Sequence, residues 1–123
     1  MSLDVWVSEP RVQSAEIANG ASTSSTILLD SAHSLVALQM PAAWSAASLT
    51  FDGSFDGTTF VPIHYGAGAY TITSAQGAAA SLGVSLAPEA FIGWPYVRIR
   101  SGVIGTYVNQ AAARTIKVLT RAV

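Results

Sequence analysis

Three side chains of one segment, Asp52, Ser54 and Asp56, occupy alternate positions and could offer oxygen ligands to a calcium ion. Calcium takes about 6–8 oxygen ligands, and the EF-hand loop that binds it ends in a glutamate that this segment lacks. Asp56 is followed by Gly57, and an Asp-Gly pair is among the strongest signals for a tight turn between strands. We therefore expect a structural turn here, and we expect the chain to use neither a metal ion nor another cofactor.

The two histidines, His33 and His64, are the candidate bases for hydrolytic chemistry. A hydrolytic triad places such a base beside a nucleophile and an orienting acid. The chain has many serines, but it lacks the G-x-S-x-G nucleophile motif, has no cysteine and shows no histidine spacing typical of zinc sites. An acid pair of the glycosidase type remains open, because seven carboxylates offer many pairs. We expect a protein without enzymatic activity.

Two arginines, Arg98 and Arg100, alternate along one segment and would project from the same face of an extended strand. A nucleic-acid site would show more basic charge and interleaved aromatic side chains, and the net charge is −1. We expect no nucleic-acid partner. The arginines are assigned to a solvated strand face or to salt bridges between subunits, because a guanidinium group pairs with a carboxylate through two hydrogen bonds.

Aromatic side chains offer a second kind of binding surface. Trp94 and Tyr96 lie beside Arg98 in the sequence and could stack on a sugar ring, although packing in a core or an interface is the commoner role of such rings. Residues 1–10 are expected to form an N-terminal arm or edge strand that reaches a neighbouring subunit, because an exposed Trp6 would be costly in water. The candidate partner-binding residues are therefore Trp6, Trp94, Tyr96, Arg98 and Arg100.

Short strands separated by turn residues must position these side chains. Residues 35–40 form a near-continuous apolar run, which predicts a buried central strand. Residues 48–55 and 59–64 flank the Asp-Gly pair and predict a hairpin. Apolar and polar residues alternate along 96–102 and 114–121, which predicts strands with one buried face. Because long helical segments are lacking, the sequence predicts an all-β fold: an antiparallel β-sandwich or jelly roll of about eight short strands.

The composition is that of one domain with little surface charge. At 123 residues the chain can bury one core without disulfide or metal support, and we expect a single domain over residues 11–123. Only 11% of the residues are charged, against about 25% in ordinary soluble domains, which favours a surface that partner chains cover. No apolar stretch reaches the ~18 residues of a membrane helix, and no secretory signal is apparent, so we expect no membrane partner.

The charges are distributed unevenly along the chain. Residues 1–97 carry all seven carboxylates and one arginine, whereas residues 98–123 carry the other five basic side chains. Such an asymmetry could support head-to-tail contacts between copies, or the opposite charges could meet within one fold.

Several blocks of this sequence, taken in order, resemble one family of small virion proteins of tailed bacteriophages. The blocks are residues 40–44 (MPAAW), 47–51 (ASLTF), 54–60 (SFDGTTF), 96–102 (YVRIRSG), Gln110 with 114–116 (RTI), and an opening pattern within 17–29. Together they are distributed along the chain from about residue 16 to the end. The resemblance implies a structural component of the virion, and it carries no catalytic residue over to this chain.

The resemblance supports one expected function and leaves one alternative. We expect a capsid decoration (cement) protein, assembled in the host cytoplasm into the virion, whose partners are the major capsid protein and copies of itself, with a trimer as one arrangement. Residues 54–60 and 96–99 also resemble, more loosely, galactose-binding-like (discoidin) jelly rolls. The alternative is therefore a carbohydrate-binding or structural module of a head spike, fibre or tail tip, since a shared fold does not determine function.

Overall fold

A computed structural model describes residues 10–29 and 33–122 as antiparallel β structure with two short 3-10 turns, Ser74–Gln76 and Pro88–Ala90. The strands, in chain order, are β1 (Arg11–Ile17), β2 (Ile27–Leu28), β3 (His33–Gln39), β4 (Leu49–Ser54), β5 (Val61–Pro62), β6 (His64–Tyr65), β7 (Gly68–Ala69), β8 (Gly83–Ser85), β9 (Tyr96–Val103), β10 (Thr106–Tyr107) and β11 (Arg114–Ala122). The all-β prediction is confirmed. Within these residues, no helix has the length and apolar character needed to cross a membrane.

Two larger sheets enclose the core. Sheet A has the strand order β1-β11-β3-β8, and sheet B has the order β10-β9-β4-β5 with β2 also paired to β9. Strands β6 and β7 form a separate two-stranded ribbon. The pairing is antiparallel in all three, which agrees with the predicted antiparallel sandwich. The finer jelly-roll assignment stays a prediction.

The core is built from the inward faces of both sheets. Leu35 and Leu38 of β3 contribute from sheet A, while Phe51 of β4 meets Phe91 edge to face with ring centroids 5.0 Å apart. The alternation predicted for β9 and β11 is confirmed, because every second side chain is buried: Val97, Ile99, Ile116, Val118 and Thr120. Since side chains of a strand point alternately to its two faces, Arg98 and Arg100 lie on the outer face of sheet B.

Strand number and length differ from the prediction. Eleven strands, rather than about eight, lie within the described residues. Five of them are only two residues long, because the chain bends away after two paired residues: β2, β5, β6, β7 and β10. The sequence pattern does not predict β10. Its turn depends on Gly105, whose φ of 85° is readily adopted by glycine.

The Asp-Gly pair joins two antiparallel strands as predicted, but not through a tight turn. Strands β4 and β5 pair over Asp52↔Pro62 and Gly53↔Val61, and residues 55–60 form the wider connection between them. The second strand is short because Pro62 lacks the N–H that would continue the ladder, which confines proline to edge strands.

Residues 23–28 close one side of the sandwich. The side-chain amide of Gln13 in β1 satisfies both backbone groups of Leu28 in β2. Its Nε2 donates to the Leu28 carbonyl at 2.7 Å, and its Oε1 accepts from the Leu28 N–H at 3.1 Å. Further along, the Ser25 N–H donates to the Glu16 carbonyl at 2.9 Å. The contacts of Glu16 and Ile17 with Ser25 and Ser24 occupy that end of the free edge of β1, and an occupied edge resists unwanted pairing with other chains.

Candidate functional site

The outer face of sheet B brings together three of the predicted partner-binding residues. Tyr96, Arg98 and Arg100 of β9 lie there with Phe60 and Tyr107, and all five side chains are partly or fully exposed. We call these five residues the arginine face. Its strands are rigidly placed, since β9 pairs with β4 along six consecutive positions.

Arg98 is held flat on this surface. Its guanidinium carbon lies 3.8 Å from the centroid of the Phe60 ring, and its Nε donates to Thr26 Oγ1 at 3.3 Å. A guanidinium stacked on an aromatic ring gains a cation–π interaction. Among the described side chains no carboxylate forms an ion pair with Arg98. Its positive charge is therefore not balanced by an ion pair within the described part of the chain.

Arg100 is held in a similar way but is neutralised. Its guanidinium carbon lies 4.3 Å from the Tyr107 centroid, and its Nε donates to Asp52 Oδ2 at 2.7 Å. The side chain of Asp52 is only 5% exposed, compared with 28% for Arg100. A carboxylate removed from water to this degree needs such a partner, because an unpaired buried charge is strongly unfavourable.

The connection between β4 and β5 is fixed by the Asp56 carboxylate. Its Oδ1 accepts from the N–H groups of Thr58 and Thr59, both at 2.8 Å, and from Ser54 Oγ at 2.9 Å. These hydrogen bonds, of which the one from the Thr59 N–H has the largest effect, lower the pKa of Asp56 from 3.8 to about 2. These hydrogen bonds hold residues 55–60 as a connection that is wider than the tight Asp-Gly turn expected from the sequence. Within the described residues no group of three or more His, Cys, Asp or Glu side chains could hold a metal ion.

Tyr96 and Trp94 do not form one platform. A Cβ at Gly57 would lie 3.3 Å from Cζ of Tyr96, so Tyr96 packs beneath the β4–β5 connection on the outer side. A Cβ at Gly53 would lie 2.5 Å from Cε3 of Trp94, and Gly53 points to the side of β4 that carries the core. The two rings therefore lie on opposite sides of sheet B, which a spacing of two residues does not predict.

Phe55, which the sequence analysis does not single out, is the most exposed aromatic of this region. Its ring stacks on Trp94 with centroids 4.8 Å apart and an interplanar angle of 9°, and the residue is 75% exposed. Trp94 itself packs against the core and is only partly exposed. A flat ligand would therefore meet Phe55 before Trp94.

The remaining sequence candidates lie elsewhere. His33 begins β3 in sheet A, whereas His64 lies in the β6–β7 ribbon, so the two histidines belong to different sheets. Trp6 and most of the predicted arm, residues 1–9, lie outside the described residues, so the prediction for Trp6 stays untested.

Comparison of the chain with protein-family models, with curated proteins and with solved structures finds no match. Fold and site together define an antiparallel β-sandwich with an exposed aromatic and arginine face.

Proposed function

We propose that this chain is a non-enzymatic structural protein of a tailed-phage virion, namely a capsid decoration protein that docks on the major capsid shell. The virion assignment rests on the sequence blocks that resemble phage virion proteins. The docking mode rests on one observation: Arg98 is stacked on Phe60, partly exposed, and without a carboxylate partner among the described residues.

The arginine face has the chemistry of a protein interface. Tyrosine and arginine are enriched among the few residues that carry most of the binding energy at such surfaces. The stacking of Arg98 on Phe60 and of Arg100 on Tyr107 limits the motion of both side chains before binding. Pre-ordered side chains lose less conformational entropy on association, so more of the interaction energy becomes affinity. The expected contact on the shell is a carboxylate that accepts from the free N–H groups of Arg98.

The low charge of the chain supports extensive contact with other proteins. With 11% charged residues, the domain has much surface of Ser, Thr, Ala and Gly that can be buried without stripping water from ions. A stable interface buries roughly 1,200–2,000 Å² in total. A protein that binds only the assembled shell stabilises it by mass action, and each bound copy adds to that stabilisation.

The experiment is a binding assay with particles that lack this protein. Purified wild-type chain and the variants Arg98→Glu and Arg121→Glu are added to such particles, and bound protein is quantified after sedimentation. Arg121 is an exposed residue of β11 in sheet A, so its reversal changes the net charge equally but leaves the arginine face intact. We expect Arg98→Glu to weaken binding about tenfold or more, equivalent to at least about 1.4 kcal/mol, and Arg121→Glu to bind as wild type. Equal binding of all three proteins would contradict the docking mode.

A specific observation favours one second function, carbohydrate binding at a head spike, fibre or tail tip. Phe55 presents an exposed ring stacked on Trp94, beside a loop that the Asp56 carboxylate holds in place. A rigid, flat aromatic surface can carry a sugar ring. A titration with host surface polysaccharide, monitored by tryptophan fluorescence, tests this function. Saturable quenching that Phe55→Ala removes would support it, and an unchanged spectrum would exclude it for the sugars used.

A further inference from the structure

The dipeptide Asn19-Gly20 lies on the surface just beyond the end of β1, and its chemistry is not used by the proposed function. The backbone nitrogen of a glycine can attack the side chain of a preceding asparagine, because glycine has no Cβ to obstruct the close approach. The chain's other asparagine, Asn109, is also exposed, but it precedes Gln110, whose side chain hinders the same attack. By sequence, Asn19 is therefore the more reactive of the two.

We propose that Asn19 is a site of spontaneous deamidation, and that the pairing of its turn with Gln110 sets the rate in the folded protein. The Gly20 nitrogen loses its proton to a base in water and forms a bond to Cγ of Asn19. The bond from Cγ to the side-chain nitrogen breaks, and this nitrogen takes up a proton and leaves as ammonia. Water then opens either C–N bond of the resulting succinimide ring, which yields aspartate or isoaspartate. The proposal does not depend on the virion assignment.

The turn around Asn19 holds the reacting atoms apart. The N–H of Ala21 donates to the Ala18 carbonyl at 3.0 Å, and Gly20 has a φ of 81°. Among the described residues other than glycine only Ser81 has a positive φ, so the turn is of type II, with ψ of Asn19 near about +120°. This ψ places the Gly20 nitrogen about 120° from Cβ of Asn19 around the Cα–C bond. The five-membered ring needs the two atoms nearly eclipsed, so the turn must open first.

The backbone of Gln110 holds the turn closed. The Gly20 N–H donates to the Gln110 carbonyl at 2.8 Å, and the Gln110 N–H donates to the Ala21 carbonyl at 2.9 Å. The first of these bonds occupies the N–H that must lose its proton. The Gln110 side chain is fully buried and donates from Nε2 to the Ser45 carbonyl at 3.1 Å and to Ser101 Oγ at 2.8 Å, which fixes Gln110 in place. The attack therefore waits for a local opening that separates Gly20 from Gln110.

The products should weaken the same pairing. Aspartate adds a negative charge at the exposed position 19. Isoaspartate also inserts one carbon atom into the backbone, which disrupts the spacing of the two bonds to Gln110. The chain then continues along β9, where the Ser24 N–H donates to the Ile99 carbonyl at 2.9 Å. Isoaspartate formation should therefore destabilise the segment that covers this side of β9.

The test compares the wild-type protein folded and unfolded at the same mildly alkaline pH, the unfolded sample being in guanidinium chloride. Mass spectrometry with peptide mapping follows the conversion of each asparagine, and hydrogen exchange measured by NMR gives the protection factor of the Gly20 amide. Because both reactions need the Gly20 N–H to leave Gln110, we expect folding to slow deamidation of Asn19 roughly tenfold or more, and at least as much as it protects this amide. Equal rates in the two samples, slowing well below the protection factor, or a first product at Asn109 would overturn the proposal.

Two destabilised variants separate local opening from global unfolding. Gln110→Ala removes the side chain that fixes the partner of the turn, whereas Gly53→Ala disturbs the packing of Trp94 on β4. Under conditions in which both stay folded, we expect Asn19 to react roughly threefold or more faster in Gln110→Ala than in Gly53→Ala. Equal acceleration would overturn the role of Gln110. The wild-type comparison needs no variant and decides the proposal even where Gln110→Ala does not fold. None of these outcomes bears on binding to phage particles, so the two proposals can fail separately.

Discussion

The carboxylate of Asp52 pairs with Arg100 and not with Arg98, although Arg98 is the residue directly opposite Asp52 between β4 and β9. The contact is therefore diagonal across the two strands, a distance that long side chains can bridge. As a result, Arg100 is neutralised within the fold, whereas Arg98 forms no ion pair with a carboxylate of the described residues. The two arginines should accordingly respond differently to substitution.

Removing the charge of Asp52 should reduce stability. Asp52→Asn leaves Arg100 without its counter-ion, and we expect the free energy of unfolding to fall by about 1–2 kcal/mol, below the value for a fully buried pair because Arg100 is partly exposed. Urea denaturation measures the change. Glu16→Gln, the same chemical change at an exposed position of β1, should stay within about 0.5 kcal/mol of wild type. An equal effect of both variants would contradict the role given to the ion pair.

Gln110 should be among the most sensitive polar residues of the domain. It is fully buried; its Oε1 accepts from Ser45 N and Arg114 Nε, and its Nε2 donates to the Ser45 carbonyl and Ser101 Oγ. Gln110→Ala removes four hydrogen bonds and leaves a cavity, so we expect a loss of about 2–4 kcal/mol in denaturation experiments. Asn109→Ala at the exposed neighbouring position is the control. If Gln110→Ala lowers the free energy of unfolding by less than Asn109→Ala does, water has replaced the Gln110 side-chain amide in these hydrogen bonds.

The close approach of Trp94 to β4 requires a glycine at position 53. In Gly53→Ala the new methyl group would lie 2.5 Å from Cε3 of Trp94, so the indole must shift. We expect destabilisation by about 1–3 kcal/mol and a red shift of tryptophan emission as Trp94 becomes more exposed. Gly68→Ala introduces the same methyl group where no atom lies within 4 Å. Wild-type stability and emission in Gly53→Ala would contradict the packing described.

The hydrogen bonds to Asp56 should be lost in acid. Because the folded-state pKa of about 2 lies below the ordinary aspartate value of 3.8, the ionised carboxylate stabilises the loop above about pH 4. That contribution disappears as the pH falls through about 2. The amide proton shifts of Thr58 and Thr59, followed by NMR, should titrate together over this range. In Asp56→Asn, which accepts the same bonds without ionising, the shared titration should vanish; its persistence would assign it to another group.

The strand that carries both arginines of the arginine face, β9, could be predicted from the sequence. The alternation along β9 directly reflects the two-residue period of a strand with one buried face. That period is sufficient to place Arg98 and Arg100 on the outer face.

The partners of these arginines could not be predicted in the same way. Phe60 reaches Arg98 through the β4–β5 connection, whose shape depends on hydrogen bonds to Asp56, and Tyr107 reaches Arg100 through a turn at Gly105. Loop shapes of this kind follow from side-chain contacts rather than from periodicity. Trp94 illustrates the same limit, because it lies before the start of β9, where alternation no longer determines its direction.

We propose that many copies of this chain decorate a capsid shell through the arginine face. Cryo-electron microscopy of particles purified from the phage that encodes the chain tests it most directly. We expect density at every capsomer junction, with Arg98 and Phe60 of each copy against the shell and a carboxylate of the shell within hydrogen-bond distance of Arg98. Density confined to a vertex, spike or tail tip, or particles without this protein, would contradict it.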